Sequence, residues 1–529
     1  MFKNQPKGLI AAALANMGER FGFYIMMAIL VLFLQAKYGF DGTKAGLIYS
    51  IFYFSIYILS FVGGIIADKT KNFKGTILCG LILMALGYVV IAIPTPTPSP
   101  NKALYVTLTC LGLFVIAFGN GLFKGNLQAL VGQMYDNEKY SSMRDSGFSI
   151  FYMFINVGAI FAPLMAVGIR NWWVQHSGFV YDADMPALCH SQIAGTLEGT
   201  SLEKFTGFAE QFGYTADQLT AFANEYLNVF VTGFHYAFMC AIGAMAISLA
   251  IYLANNKKFP NMQAKAKAAV ADKAEVMMEA REIRQRLYAL FAVFGVVIFF
   301  WFSFHQNGLT LTMFAKEYTD LSGINIDLGF TSIKGAEIFQ SINPLCVVLL
   351  TPVVMAVFGW LRARGMEPST PKKIAIGMGI AALGFVVMAV GSYIANLPEW
   401  STLFQKVVDP ETGEESVKVL RDLTNAERVT PWLLVGTYVV LTIAELCISP
   451  LGISFVSKVA PPQYQGIMQG GWLAATAIGN QLLFIGAILY QSIPIWMTWT
   501  VFVAACTLSM VVMLSMVKWL EKVTGEAKA

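Results

Sequence analysis

Long apolar runs alternate with short charged clusters along nearly the whole chain, and each run approaches the ~20 helical residues needed to cross a bilayer. Reading the runs between clusters predicts helices near 8–36, 45–67, 75–93, 103–134, 146–169, 229–254, 288–316, 336–361, 374–396, 431–457, 464–490 and 495–519. Two polar segments are long enough to fold locally. Within 171–228, SLEKFTGFAEQF and TADQLTAFANEYL carry apolar residues at helical spacing, and Thr215 with Gln218 makes a capping box, so a short helical hairpin is expected. Within 396–430, KVVDPETGEESVKV alternates around a turn-rich centre, as a small β-hairpin would. The PTPTPSP run at 94–100 reads as a stiff polyproline connector.

The charged, helix-forming segment 255–286 divides the chain near its middle. The expected layout is an all-α membrane protein of twelve transmembrane helices in two six-helix bundles. Residues 1–254 form the first bundle with its outer insert 171–228, 255–286 a cytoplasmic linker, and 287–529 the second bundle. GGIIADKTKNFKG after span two and FGWLRARGMEPSTPKK after span eight echo one another, each setting glycine and basic residues at the same corner.

Composition narrows the class. Of 529 residues 56% are hydrophobic and 13% charged, against ~25% charged in soluble domains. A net charge of +4 offers no dense basic field, which excludes polynucleotide binding. With a cytoplasmic N-terminus, the inner connections and tails hold 23 basic residues and the outer ones 11, so both termini are expected inside. MFKNQPKG and the run after it lack a signal-peptide cleavage pattern and read as a retained first span. The seven cysteines contain no CxxC, and His176, His190 and His235 lack ligand spacing, so neither a disulfide framework nor a metal site is expected. No GxSxG, HExxH or P-loop pattern occurs, and an enzyme reading has no chemical centre.

Ionisable groups inside spans carry the functional signal, because each costs at least ~3 kcal/mol in hydrocarbon. They are Glu19 and Arg20 in span one, Lys124 in span four, His305 in span seven and Glu445 in span ten. In a six-plus-six architecture spans one and seven correspond, as do four and ten, so the polar groups fall on matching helices. A central water-filled cavity follows, whose two cations and two anions suit a small zwitterion. Arg20 and Lys124 would hold a carboxylate and Glu445 an ammonium group.

The same residues resemble a known family, the proton-coupled oligopeptide transporters of the major facilitator superfamily. GERFGFY at 18–24 is similar to its ExxERFxYY element, and YILSFVGGIIAD at 57–68 to its tyrosine and glycine-aspartate corner. GNGLFKGNLQALVGQMY at 119–135 resembles GxGxxKPN, and GFSIFYMFINVGAIFAP at 147–163 resembles FYxxINxG. FFWFSFHQ at 299–306, FQSINP at 339–344, AELCISPLG at 444–452 and GGWLAAT at 470–476 extend the likeness into the second half.

The resemblance implies a major facilitator fold that imports di- and tripeptides by alternating access, as a functional monomer in a bacterial cytoplasmic (inner) membrane. It implies no cofactor beyond protons as coupling ion. Arg20 and Lys124 would meet the peptide carboxylate, Asn156, Asn343 and Glu445 its amino end, and Tyr24, Tyr57, Trp301 and Trp472 its side chains. The departures bear on mechanism. Asn16 stands in place of the first glutamate, Phe23 of a tyrosine, Met27 of an arginine, His305 of an acidic residue and Gly125 of a proline.

Two accounts of coupling fit these residues. In one, Glu19 and His305 carry protons, a histidine titrating near ~6.5. In the other, Glu19 is locked to Arg20, His305 is structural, and transport is weakly coupled or uncoupled. A carrier of another zwitterion or anion and a non-transporting peptide receptor are the competing functions.

Overall fold

The computed structural model describes residues 5–70, 72–135, 139–140, 144–260, 280–329, 331–408, 415–461 and 465–524. Twelve helices are long and apolar enough to span a membrane: Leu9–Tyr38, Gly42–Ala67, Phe73–Ala92, Lys102–Met134, Ile150–His176, Ala216–Ala254, Ala280–Glu317, Ala336–Leu361, Thr370–Ile394, Pro431–Ile453, Gly470–Ser492 and Ile495–Val523. They are referred to below as spans one to twelve. Helices satisfy every backbone group internally, which lipid cannot do, so this is the form the apolar runs must take.

Packing within the first six spans repeats in the last six. Span three packs on four, two on four, one on five and six, and three on six. Nine packs on ten, eight on ten, seven on eleven and twelve, and nine on twelve. The halves meet along two seams, span two against eleven and span five against eight, which the six-span shift exchanges. Small residues set the closest crossings. A Cβ added at Gly80 would lie 2.6 Å from the Gly119 carbonyl oxygen, and one at Gly119 would lie 2.7 Å from that of Gly80, so spans three and four touch backbone to backbone.

Several predicted boundaries move. Span five continues to His176, and the helix of span six begins at Leu219, so TADQLTAFANEYL is the first turns of span six and not the second arm of a hairpin. Gln218 does accept from the Thr215 amide at 3.2 Å, the expected N-terminal brace. The insert instead contains helices Met185–Ile193 and Gly199–Glu210, gathered on the buried rings of Phe205, Phe222 and Tyr226. The hairpin expected in 396–430 forms, with Phe404–Val408 antiparallel to Glu415–Val419, while its turn lies outside the described residues. So does most of the 255–286 linker. The 94–100 connector is bent at 97–98 and not a straight polyproline rod.

Span seven is not continuous. Its α-helix ends at Phe304, tightens into a 3-10 turn over His305–Gly308, and resumes at Thr310. Span eleven breaks at Leu482. Neighbours satisfy the freed backbone: Tyr438 donates to the Asn307 carbonyl at 2.8 Å, and Gln306 to that of Leu483 at 3.2 Å.

At the end carrying the insert, polar contacts join the halves. Arg170 pairs with Glu337, both side chains at most 1% exposed. Asn171 donates to the Ser332 and Lys334 carbonyls, and Asp41 pairs with Lys406 at 2.6 Å. Asp184 of the insert binds Lys204 and, from the other half, Arg428, both at 3.0 Å, and Lys204 also reaches Asp422 at 3.1 Å. Burial works to raise the Asp184 carboxyl, but Lys204 and Arg428 outweigh it and hold it below its ordinary value. Burial and the nearby Asp184 charge push the Asp422 carboxyl up.

Candidate functional site

Span one carries Glu19 and Arg20 into the first bundle as adjacent residues, and their side chains close on one another. Arg20 Nε and Nη2 each donate to a different Glu19 oxygen at 2.6 Å, and Asn120 of span four donates to Glu19 Oε1 at 2.5 Å. All three residues are at most 4% exposed. The Arg20 fork is therefore mostly occupied from within its own half. One turn beyond Asn120, Lys124 projects half-buried, its Nζ 4.1 Å from the centre of the Tyr57 ring. Lys124 makes no ion pair among the described residues.

Tyr49, Tyr53 and Tyr57 follow at i+4 spacing on one face of span two, and the ladder leads across to the second half. Tyr53 lies 4.7 Å from the His305 ring, tilted against it, and Trp301 stacks on the same ring at 4.8 Å. His305 Nδ1 donates to the Asn480 side-chain oxygen of span eleven. In the second half Glu445 accepts from Asn343 at 2.8 Å and also makes no ion pair among the described residues. Asn343 in turn donates to Thr442 at 3.0 Å.

These groups share one neighbourhood. Tyr24 and Tyr57 both lie in electrostatic range of Arg20 and of Glu445, and Lys124 lies in range of Arg20, Glu19 and His305. Tyr152 of span five, 46% exposed, reaches Glu445, Tyr24 and Tyr57, and Asn156 donates to its carbonyl at 3.1 Å. Arg20 of the first bundle and Glu445 of the second thus lie about the same pair of tyrosines. Among the described residues Asn120 Oδ1, Trp301 Nε1 and Asn480 Nδ2 are buried without a partner, beside Glu19 and His305. In a folded protein such atoms mark where water or a ligand binds. Of the residues expected here, Trp472 stands apart, its ring lying over Gly452 and 6.4 Å from Phe294.

The sequence reading missed Tyr53, Asn120, Tyr152 and Asn480. The tyrosine ladder was visible as YxxxYxxxY, and Asn120 lies inside the GNGLFKG motif. It also undercounted charges within the spans. Lys37, assigned to an outer loop, is 2% exposed inside the first bundle, held by Thr95 at 2.6 Å and His235 at 3.3 Å. Arg170, Glu317 and Glu337 are likewise inside spans.

A model of the POT family matches residues 74–284 and 262–498, well over half of the chain. The chain belongs to the POT family. This POT family member is 28% identical over 507 residues to the peptide transporter YePEPT of Yersinia enterocolitica, covering 90% of this chain and 87% of that one. It is 26% identical over 509 residues to an uncharacterized transporter of Bacillus subtilis, covering 93% and 90%. Among solved structures, a peptide transporter POT in complex with sulfate superposes with a TM-score of 0.68 at 22% identity, covering 99% of this chain and 96% of the other. A POT family transporter in complex with 5-aminolevulinic acid gives 0.68 at 21%, covering 99% and 98%. The shared fold is therefore the twelve-span major facilitator type, and this is a multi-pass membrane protein.

Proposed function

We propose that this POT family member imports di- and tripeptides by alternating access, driven by proton symport. One observation carries the reading: Lys124 in the first half and Glu445 in the second are half-buried, of opposite sign, and unpaired among the described residues. Each leaves a charge that a zwitterion spanning the two bundles would complete. Lys124, with Nη1 of Arg20, which makes no hydrogen bond among the described residues, takes the peptide carboxylate. Glu445, Asn343 and Asn156 take the amino end. Tyr24, Tyr57 and Trp301 supply aromatic walls that accept varied side chains, and Trp472, packed over Gly452, is left out of them. The contact of Arg20 with Glu19 makes Lys124 the principal cation of the pair.

Glu19 and His305 are the proposed proton sites. Asn120 and Arg20 both donate to Glu19, so a proton placed on it would release Arg20 for the substrate. His305 hydrogen-bonds to Asn480 and lies against Tyr53 and Trp301, contacts that support a mainly structural part for it and leave the larger share of the proposed coupling to Glu19. We place both termini in the cytoplasm of a bacterial cell, with the protein acting as a monomer in the inner membrane.

Dialanine uptake into proteoliposomes tests this reading. A proton gradient should drive accumulation, Lys124→Ala and Glu445→Gln should abolish it, and His305→Ala should retain most of it. Uptake unchanged when both pH and voltage gradients are collapsed would end the symport account. Binding without uptake would make the protein a receptor.

A further inference from the structure

A second cleft lies at the insert end, away from the central site, and encloses about 700 Å³ counting its open mouth. Its walls come from three sources: span one and the loop after it through Gln35 and Phe40, the insert through Ala187 and His190, and the second half through Lys316 and Glu317. Trp400, Phe404 and Tyr181 add aromatic surface.

The polar groups are mostly acceptors. The Gln35 side-chain oxygen is buried and has no hydrogen-bond partner among the described residues. His190 Nε2 contacts the Ala36 carbonyl at 2.7 Å, and a carbonyl only accepts, so Nε2 carries the hydrogen. Burial pushes the His190 imidazole down to about 4, which keeps it neutral and leaves Nδ1 as a lone-pair acceptor. Glu317 Oε2 accepts from the Tyr490 hydroxyl at 2.9 Å and forms no ion pair among the described residues. Lys316, next to it, also forms none and is the cleft's one cation without an ion pair among the described residues, since Arg170 is taken by Glu337. Acceptors, a carboxylate and aromatic faces on one side of the account, with a single free ammonium on the other, match a ligand that carries both an ammonium and a carboxylate.

We propose that this cleft is a second binding site for small zwitterions, an amino acid or the end of a short peptide. Glu317, Gln35 and His190 receive the ammonium group and Lys316 the carboxylate. The inference takes from the proposed function only the ligand class. The cleft lies between the halves at the end where Asp41–Lys406 and Arg170–Glu337 join them, so its ligand would be loaded before the central site is exposed.

Calorimetric titration of the full-length protein in nanodiscs with dialanine tests it. Wild type should show two classes of site. Lys124→Ala should lose the central class and keep the other. In that background Ala187→Phe, which fills the cleft without removing a polar group, should abolish the remaining class. Glu317→Gln should weaken it at least tenfold, and N-acetyl-dialanine, which has no ammonium, should not bind. A single class in the wild type, no saturable binding in Lys124→Ala, or a residual class indifferent to both Ala187→Phe and Glu317→Gln would overturn the proposal. If both classes survive Lys124→Ala, the central reading fails while the cleft stands.

Discussion

Removing the Arg170 guanidinium should open the insert end. In the closed structure Glu337 Oε1 accepts from Arg170, its Oε2 is buried without a partner, and its side chain is fully enclosed. The guanidinium is itself held by the Asn171 side chain at 3.1 Å, the Lys334 carbonyl at 3.2 Å and the Tyr181 ring at 4.3 Å. Arg170→Met therefore leaves a carboxylate buried without its cation, at a cost of about 3–5 kcal/mol. Only the closed state carries that cost, because opening the seam hydrates Glu337. At 1.4 kcal/mol per factor of ten, the equilibrium should move toward the open state by roughly two to three and a half powers of ten. Replacing both partners, Arg170→Met with Glu337→Leu, leaves no orphaned charge and should return most of the shift.

The assay is the rate at which a membrane-impermeant thiol reagent modifies Ser341→Cys, a position 7% exposed at the seam between spans five and eight, after the seven native cysteines have been replaced. The single variant should react at least a hundredfold faster than the parent, and the double variant at close to the parent's rate. Equal rates for parent and single variant, or a double variant as fast as the single, would refute the reasoning.

Gly80→Val should lower the thermal midpoint and the monodisperse yield, since its Cβ would fall 2.6 Å from a backbone oxygen that has no side chain to move aside. Gly64→Ala, where an added Cβ meets nothing within 4 Å, is the neutral control. Docking of the insert should also follow pH. Asp184 has a lowered carboxyl value, so its contribution is complete above the ordinary aspartate range of ~3.9 and is lost as pH falls through its own lower value. Asp422, raised by burial, takes up its proton earlier and at no cost to the Asp184 contacts. Amide protection over 185–210 should accordingly persist through mild acid and drop only below that range, whereas Asp184→Asn should weaken it already at neutral pH.

Much of this molecule was legible in its sequence because lipid leaves the chain few choices. Apolar run length alone locates the spans, and an ionised residue within one is rare enough to identify Arg20, Lys124 and Glu445. What remained hidden depends on contacts between distant segments. Arg170 and Lys37 sit where apolar runs give way to polar sequence and read as loop cations, yet Glu337 and Thr95, far along the chain, draw them inside. The break at His305–Gly308 has no proline to announce it, being supported by Tyr438 from another span. Asn120 and Asn480 look like ordinary small polar residues until Glu19 and His305 are placed beside them.

The interruptions in spans seven and eleven also bear on how the carrier turns over. Gln306 ties the two breaks together, and the piece of span eleven beyond its break is fastened to span two, Thr43 donating to Gln491 at 2.8 Å. Bending about this joint would move residues 310–317 and 483–492 while the longer stems of both helices stay in place. One gate can then yield by local bending, and the bundles need not swing as undivided bodies for a substrate to be admitted.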